Sequence, residues 1–289
     1  MSSAIIVIPC YNEAQRLQIH KFKDDACEGH AQRFLFVNDG STDGTLQVLQ
    51  TLRDEDPQRY AICDLPRNVG KAEAVRRGVL LAFDADPDYI GYWDADLATP
   101  LEAIPAFCEL LDARPDLEIV FGARVRLLGR AIARSALRHY LGRMFATAAS
   151  MVLGLAVYDT QCGAKLFRAS PAIRALFQEP FLTRWLFDVE ILARLLHARR
   201  GTGLPAVEDS IYELPLDEWH DVAGSKVKAR DFAKAFIGLA MIYGYYLRPR
   251  APLRNPIQDP AIAGRCEPAS PRQPEPQSEG TGQNPRRLE

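Results

Sequence analysis

The sequence predicts an α/β fold: a single domain over residues 1–248 with a mostly parallel central sheet flanked by helices, followed by a disordered tail over 249–289. Three observations predict it. Short apolar runs of strand length alternate with helical patterns through the first half of the chain. Polar clusters follow four of those runs, where an open α/β sheet places its ligand site. Beyond Leu247 the apolar periodicity stops, and nine of the twenty prolines lie there among Gln, Glu, Ser and Arg. Such a segment buries too little apolar surface to offset its ordering entropy.

In chain order, Ala4–Ile8, Arg33–Val37, Tyr60–Asp64, Asp88–Trp93 and Leu117–Phe121 read as strands. Thr42–Arg53, Lys71–Phe83 and Leu101–Ala113 read as the helices between them. Thr42 or Asp43 is suited to cap the first. Phe232–Leu247 is apolar with few charges and about one turn short of a bilayer span. It is suited to lie in a membrane interface, to pack on the core, or to meet a second copy of the chain in a homodimer.

Composition narrows the function classes. The 289 residues are 47% hydrophobic and 25% charged, which allows a sizeable core. A formal net charge of -2 argues against a dedicated nucleic-acid binder. Cys10, Cys27, Cys63, Cys108, Cys162 and Cys266 form no CxxC pair and read as reduced thiols of a cytoplasmic protein. The five histidines show no ligand spacing. No run reaches about 18 uninterrupted apolar residues, so no transmembrane segment is expected. The expected location is cytoplasmic, in solution or peripheral on a membrane surface.

Three clusters carry chemistry. Asp94 and Asp96, spaced i, i+2 after an apolar strand, can approach one divalent cation; hard carboxylate oxygens suit Mg²⁺ or Mn²⁺. A loop with two solvated acids is the plainer alternative. Asp39, in Val37-Asn-Asp-Gly-Ser-Thr-Asp-Gly-Thr45, is suited to accept from a nucleobase imide or a ribose hydroxyl, although the same residues also make a turn and a cap. Arg67-Asn-Val-Gly-Lys71 opens a helix, where backbone N–H groups and the Lys71 ammonium favour an anion. Neither GxxxxGK[ST] nor GxGxxG is present, which weighs against a Walker loop and a dinucleotide oxidoreductase.

In this order and spacing, and with Ile8-Pro-Cys-Tyr-Asn-Glu13 at the start, the clusters resemble the family 2 glycosyltransferases, whose fold is the Rossmann-like GT-A domain. The resemblance runs from Ser3 to about Leu247. It implies that Pro9, Tyr11, Glu13 and Asp39 hold the nucleotide, with Lys71 and Asp94 beside them, and that Asp94 and Asp96 hold Mg²⁺ or Mn²⁺. Tyr158-Asp-Thr-Gln-Cys-Gly-Ala-Lys-Leu-Phe-Arg168, Arg184-Trp-Leu-Phe-Asp-Val-Glu190, Trp219 and Gly224-Ser-Lys226 resemble the dolichyl-phosphate β-glucosyltransferase branch and its bacterial relatives. Ala98 stands where the mannosyl branch usually has Gln, which favours UDP-glucose as donor. The implied reaction is inverting transfer of a hexose to a polyprenyl phosphate.

An independent feature agrees with a phosphate acceptor. From Ile119 to Tyr158 there is no acid but six arginines, and Arg126, Arg130, Arg134 and Arg138 recur every four residues. On one helix they would share a basic face, and arginine's planar fork suits phosphate. A solvated helix face is the alternative. The resemblance implies that Arg124 and Arg138 contact the acceptor phosphate. It places Asp188 where hydroxyl-acceptor relatives keep a base, so Asp188 is a candidate catalytic residue with Asp96, as base or in acceptor placement. Two other functions remain open at this point: transfer to a saccharide or small hydroxyl acceptor with Asp188 as base, and a catalytically silent nucleotide-binding or membrane-scaffold protein.

Overall fold

Alternation in the first strand divides the core in two. In β1 (Ser3–Cys10), Ala4, Ile6 and Ile8 face one layer while Ile5 and Val7 face the other, and all five are buried. A strand covered on both sides is apolar throughout, as expected of a parallel sheet between helical layers. The computed structural model describes residues 2–24, 31–125, 131–132, 136–220 and 229–248. Those up to Arg248 form one compact unit. The tail expected over 249–289 lies outside the described residues.

The chain continues through α1 (Ile19–Asp24), β2 (Ala31–Asp39), α2 (Thr45–Glu55), β3 (Tyr60–Leu65), α3 (Lys71–Phe83), β4 (Tyr89–Trp93), α4 (Ile104–Ala113) and β5 (Ile119–Ala123). The second half comprises β6 (Ala131–Ile132), α5 (Ala136–Leu153), β7 (Ala164–Arg168), α6 (Pro171–Gln178), α7 (Phe187–Arg199), β8 (Ile211–Pro215), β9 (Glu218–Trp219) and α8 (Ala229–Ile242), which ends in a π turn over Tyr243–Leu247.

The main sheet has the order β3-β2-β1-β4-β7-β5-β8. All its pairings are parallel except those of β7, which runs antiparallel between β4 and β5. One layer draws on α1, α2 and α4 through Phe22, Leu49, Leu52 and Phe107. The other draws on α3, α5, α6, α7 and α8 through Val75, Ala149, Phe177, Leu192 and Ile242. The first nine residues of α7, Phe187 to Leu195, are all buried, as in a helix enclosed on every side. Its charges are satisfied locally. Glu190 accepts from Leu182 N and pairs with Arg194, and Arg194 donates to the carbonyls of Leu176, Glu179 and Pro180.

Two expectations are corrected and one alternative is decided. The first loop helix starts at Thr45 with Gly44 at its N-cap and no side-chain cap, because Asp43 instead takes Thr45 N, Thr45 Oγ1 and Ala14 N. A single basic helix does not run through Arg126–Arg138. Ala131–Ile132 pairs with β9 as a short strand, and helix α5 begins only at Ala136. Arg126, Arg130 and Arg134 lie outside the described residues. The Phe232–Leu247 segment does pack on the core through Leu239, Ile242 and Leu247, yet Ile237, Met241 and Tyr245 on its other side are exposed.

Candidate active site

The ends of β1, β2 and β4 and the start of α3 bring the predicted carboxylates and Lys71 to one edge of the sheet. Parallel pairing sets Pro9 against Val37 and Cys10 against Asn38, so the segments that follow, with Glu13 and Asp39, leave the sheet together. Asp39 is buried at the last position of β2. Its carboxylate accepts from Val69 N at 2.7 Å and Gly70 N at 2.9 Å, which locks the Arg67–Lys71 loop against the sheet. Burial raises the Asp39 carboxyl above its ordinary range against these two donors, with Arg77 and Arg184 also pulling it down. Tyr11 is exposed beside this edge, and Glu13 is buried with its carboxylate forked by Arg16.

Asp94 and Asp96 follow β4. Lys71, the first residue of α3, places its ammonium 2.5 Å from Asp94 Oδ1 and 5.9 Å from the Phe187 ring centre. Asp94 N donates to Gly163 O at 3.0 Å, and a Cβ on Gly163 would stand 2.0 Å from Asp94 Oδ2. The absence of that one carbon is what lets the Asp94 carboxylate lie where it does. Asp96 Oδ1 accepts from Ala98 N at 3.1 Å. Burial, reinforced by the charge of Asp94, raises the Asp96 carboxyl. Two crowded carboxylates, one with its charge disfavoured by burial and by its neighbour, fit a divalent cation. Among the described residues no group of three or more His, Cys, Asp or Glu side chains comes together to hold a metal. Asp94 and Asp96 therefore suit an ion that takes its remaining ligands from phosphate and water.

A second cluster lies directly behind. Lys165 is a charged residue near the start of β7, nearly fully buried. Its ammonium donates to Thr160 O at 3.0 Å, Cys162 O at 2.6 Å and Asp188 Oδ1 at 2.6 Å, and Tyr92 Oη also donates to Asp188 Oδ1. Asp188 is thus tied to a buried cation. Arg124, at the end of β5, gives Nε and Nη2 to the two oxygens of Asp159 at 2.6 and 2.7 Å and lies over the Trp219 ring. Burial pulls its guanidinium down, but Asp159 more than reverses this. Its fork is engaged within the chain, so in this arrangement it is not offered to an acceptor phosphate. Arg138 lies in the first turns of α5, where side chains fall outside the described structure.

Beside Asp96 a cleft of about 690 Å³ opens between the start of α4 and the β8–β9 segment, walled by Leu97, Leu101, Leu214 and Leu216 with Lys21 and His220 among its lining. Asp159, Lys165 and Arg184 fall within the family-like motifs of the sequence, which gave none of them a role, nor Tyr92. A lone lysine inside Ala164–Phe167 was the available signal, since a charge in a buried strand requires a partner. Arg184 opens a family-like motif, but its place at the site follows only from the fold. Its stem lies 3.6 Å from the point a Cβ on Gly70 would occupy, beside the Asp39 loop.

Known proteins resemble this chain over most of its length. A dolichyl-phosphate beta-glucosyltransferase of Saccharomyces cerevisiae is 31% identical over 264 residues, covering 84% of this chain and 74% of that protein. The enzyme of that name ALG5C from Trichomonas vaginalis is 30% identical over 252 residues, 83% and 70% of the two chains. Among solved structures, glucosyl-3-phosphoglycerate synthase from Mycobacterium tuberculosis, in complex with Mn²⁺, uridine-diphosphate and glucosyl-3-phosphoglycerate, superposes with a TM-score of 0.58 at 17% identity, over 84% of this chain and 80% of that one. At that identity the likeness is one of fold. The family model of glycosyl transferase family 2 matches residues 5–175, more than half of the chain. With a GT-A-like fold, a DxD pair at the sheet edge and relatives at this identity over most of its length, the chain is a glycosyltransferase and belongs to glycosyl transferase family 2.

Proposed function

We propose that this glycosyltransferase moves a hexose, glucose from UDP-glucose, to a polyprenyl or dolichyl phosphate with inversion at the anomeric carbon. The observation that carries the reading is the meeting of Asp39, Lys71, Asp94 and Asp96 at one sheet edge, in a chain whose relatives are named dolichyl-phosphate beta-glucosyltransferases. Pro9, Tyr11, Glu13 and Asp39 receive the nucleoside, and Lys71 and the opening of α3 receive diphosphate charge. Asp94 and Asp96 would hold Mg²⁺ or Mn²⁺, which would supply counter-charge to the departing UDP. Support for the metal is the crowded carboxylate pair, and the mycobacterial protein of similar fold was solved in complex with Mn²⁺ and uridine-diphosphate.

An acceptor phosphate oxygen attacks the anomeric carbon as the bond from that carbon to the UDP oxygen breaks. A phosphate monoester is largely ionised near neutral pH (second pKa about 6), so positioning the acceptor matters more than removing a proton from it. That suits an Asp188 already held by Lys165 and Tyr92, and we assign Asp188 to placement rather than to general-base work. Because the acceptor is a lipid, the enzyme works at a membrane surface. No helix among the described residues is long and apolar enough to cross one.

Arg138, with Arg124 released from Asp159, is assigned to the acceptor phosphate. Arg138→Ala is expected to raise KM for polyprenyl phosphate and lower kcat/KM by roughly tenfold to a hundredfold, the loss of one charge-assisted hydrogen bond, with KM for UDP-glucose nearly unchanged. Arg130→Ala is the control for diffuse charge. Equal, salt-sensitive losses at both positions would replace the phosphate contact by general attraction to an anionic surface.

A further inference from the structure

Two lysine–aspartate pairs lie close together in the site, and they differ in how firmly they are closed. The side chains of Lys165 and Asp188 are 2% and 7% exposed, and the Lys165 ammonium has two carbonyls as further partners. Those of Lys71 and Asp94 are 39% and 35% exposed. An ion pair open to solvent to that extent is held by little net free energy, so each member can exchange its partner for another. The first pair is fixed and the second can open.

Lys71 is the first residue of α3, where the helix dipole disfavours a cation. Glu73, the acid of that first turn, is taken by Arg76 and Arg77. The backbone cannot shift to relieve this, because Asp39 holds Val69 N and Gly70 N and Gly70 stands at a φ of 96°. The ammonium is therefore compensated from outside the helix, by Asp94 first and then by Asp188 and Asp96. Asp188 is already engaged by Lys165 and Tyr92, which leaves Asp94 and Asp96. Asp94 has a matching restriction. A Cβ on Gly163 would stand 2.0 Å from its Oδ2, and its Oδ1 is capped by Lys71 at 2.5 Å. A divalent cation that approaches Asp94 alone meets a carboxylate backed by the chain on one side and held by a positive charge on the other. A diphosphate at the start of α3 changes that balance. It offers the Lys71 ammonium a second anion beside the N–H groups of the first helical turn, and an ammonium turned to phosphate uncovers Oδ1 of Asp94.

We infer that Lys71 is a resident counter-ion of Asp94, which holds divalent cations off that carboxylate until a nucleotide diphosphate draws the ammonium away, so that nucleotide binds first and metal second. The inference rests on the nucleotide and metal roles proposed above and adds the order in which they are filled. It gives Lys71 opposite effects on the two ligands, for the diphosphate and against the free metal ion. A residue needed only for the fold would weaken both when replaced.

Mn²⁺ binding to the full-length chain, read from the loss of the free-ion signal in electron paramagnetic resonance, tests this without any sugar transfer. The wild type is expected to bind Mn²⁺ weakly alone and more tightly once UDP is present. Lys71→Met is expected to bind Mn²⁺ alone about fivefold or more tightly than the wild type does. Its affinity for UDP without metal, measured by calorimetry, is expected to fall by about tenfold, the loss of one charge-assisted contact. Lys71→Gln is expected to shift both affinities in the same directions, so the test does not depend on one variant folding. Lys71→Arg keeps a cation and is expected to leave Mn²⁺ binding alone as weak as in the wild type. Lys71→Met/Asp94→Asn is expected to lose the gain in Mn²⁺ affinity, since the carboxylate that Lys71 covers is then absent. If UDP tightens Mn²⁺ in the wild type but neither Lys71→Met nor Lys71→Gln binds the free ion better, the inference is overturned and the metal assignment stands. If no form binds Mn²⁺ even with UDP, both fall. The expected Mn²⁺ pattern in a chain that transfers nothing to polyprenyl phosphate would keep the role of Lys71 and remove the proposed acceptor.

Discussion

Asp96→Ala is expected to reduce hexose transfer by at least about a thousandfold while the melting temperature stays within a few degrees of wild type. Developing charge on a diphosphate leaving group is where electrostatic stabilisation is largest, and losing several kcal/mol there is worth that factor at about 1.4 kcal/mol per decade. The fold does not depend on Asp96. Among the described residues its carboxylate accepts from Ala98 N, two residues away, and removing a carboxylate whose charge burial disfavours relieves a cost. Excess chelator added to the wild type is expected to give the same loss, restored by Mn²⁺ or Mg²⁺. Gly163→Ala should reach that end by another path, because its Cβ would stand 2.0 Å from Asp94 Oδ2 and force the carboxylate off its position beside Lys71. Initial rates with radiolabelled UDP-glucose, paired with thermal melts, read both effects. Undiminished turnover in chelator, or an active Asp96→Ala enzyme, would remove the metal from the account.

Lys165→Met is expected to act mainly on stability. It would leave the buried Asp188 carboxylate with Tyr92 but no cation beside it on β7, and it would strip the donor from the carbonyls of Thr160 and Cys162. Breaking a buried pair by removing one partner typically costs about 3–5 kcal/mol. At about 2–4 °C per kcal/mol for a domain of this size, the melting temperature should fall by roughly 6–20 °C. Lys165→Met/Asp188→Leu is expected to recover part of that loss, since neither charge remains buried. Asp188→Asn separates placement from catalysis. Asparagine keeps an oxygen for Lys165 and Tyr92, so transfer per folded molecule to a phosphate acceptor should fall by less than about tenfold. Loss of a general base would cost about a hundredfold to ten-thousandfold, and that result would favour the hydroxyl-acceptor reaction.

The first half of the fold was legible because each strand is short, apolar and closed by a polar cluster. β1 to β5 and α2 to α4 fall within a few residues of their expected limits. The residues proposed for the donor side were legible as a cluster for the same reason: Asp39, Lys71, Asp94 and Asp96 each sit where a strand ends or a helix begins, and parallel pairing brings such points together. The acceptor side was less so. Regular four-residue spacing of arginines suggested one helix, whereas Ala131–Ile132 finds a strand partner in β9, over eighty residues away, which no local pattern announces. The Arg124–Asp159 and Lys165–Asp188 pairs are likewise contacts across the sheet and its loops. Each residue was visible in the sequence, but its partner was chosen by packing.

Whether the sheet-edge carboxylates serve transfer from a sugar nucleotide to a lipid phosphate is decided by a choice of acceptors. Purified full-length chain is supplied with Mn²⁺ or Mg²⁺ and radiolabelled UDP-glucose, and is offered polyprenyl phosphate or the matching polyprenol. Labelled lipid is expected from the phosphate alone, with one UDP released for each hexose transferred. Label appearing on the polyprenol or on a soluble sugar, with none on the phosphate, would contradict it.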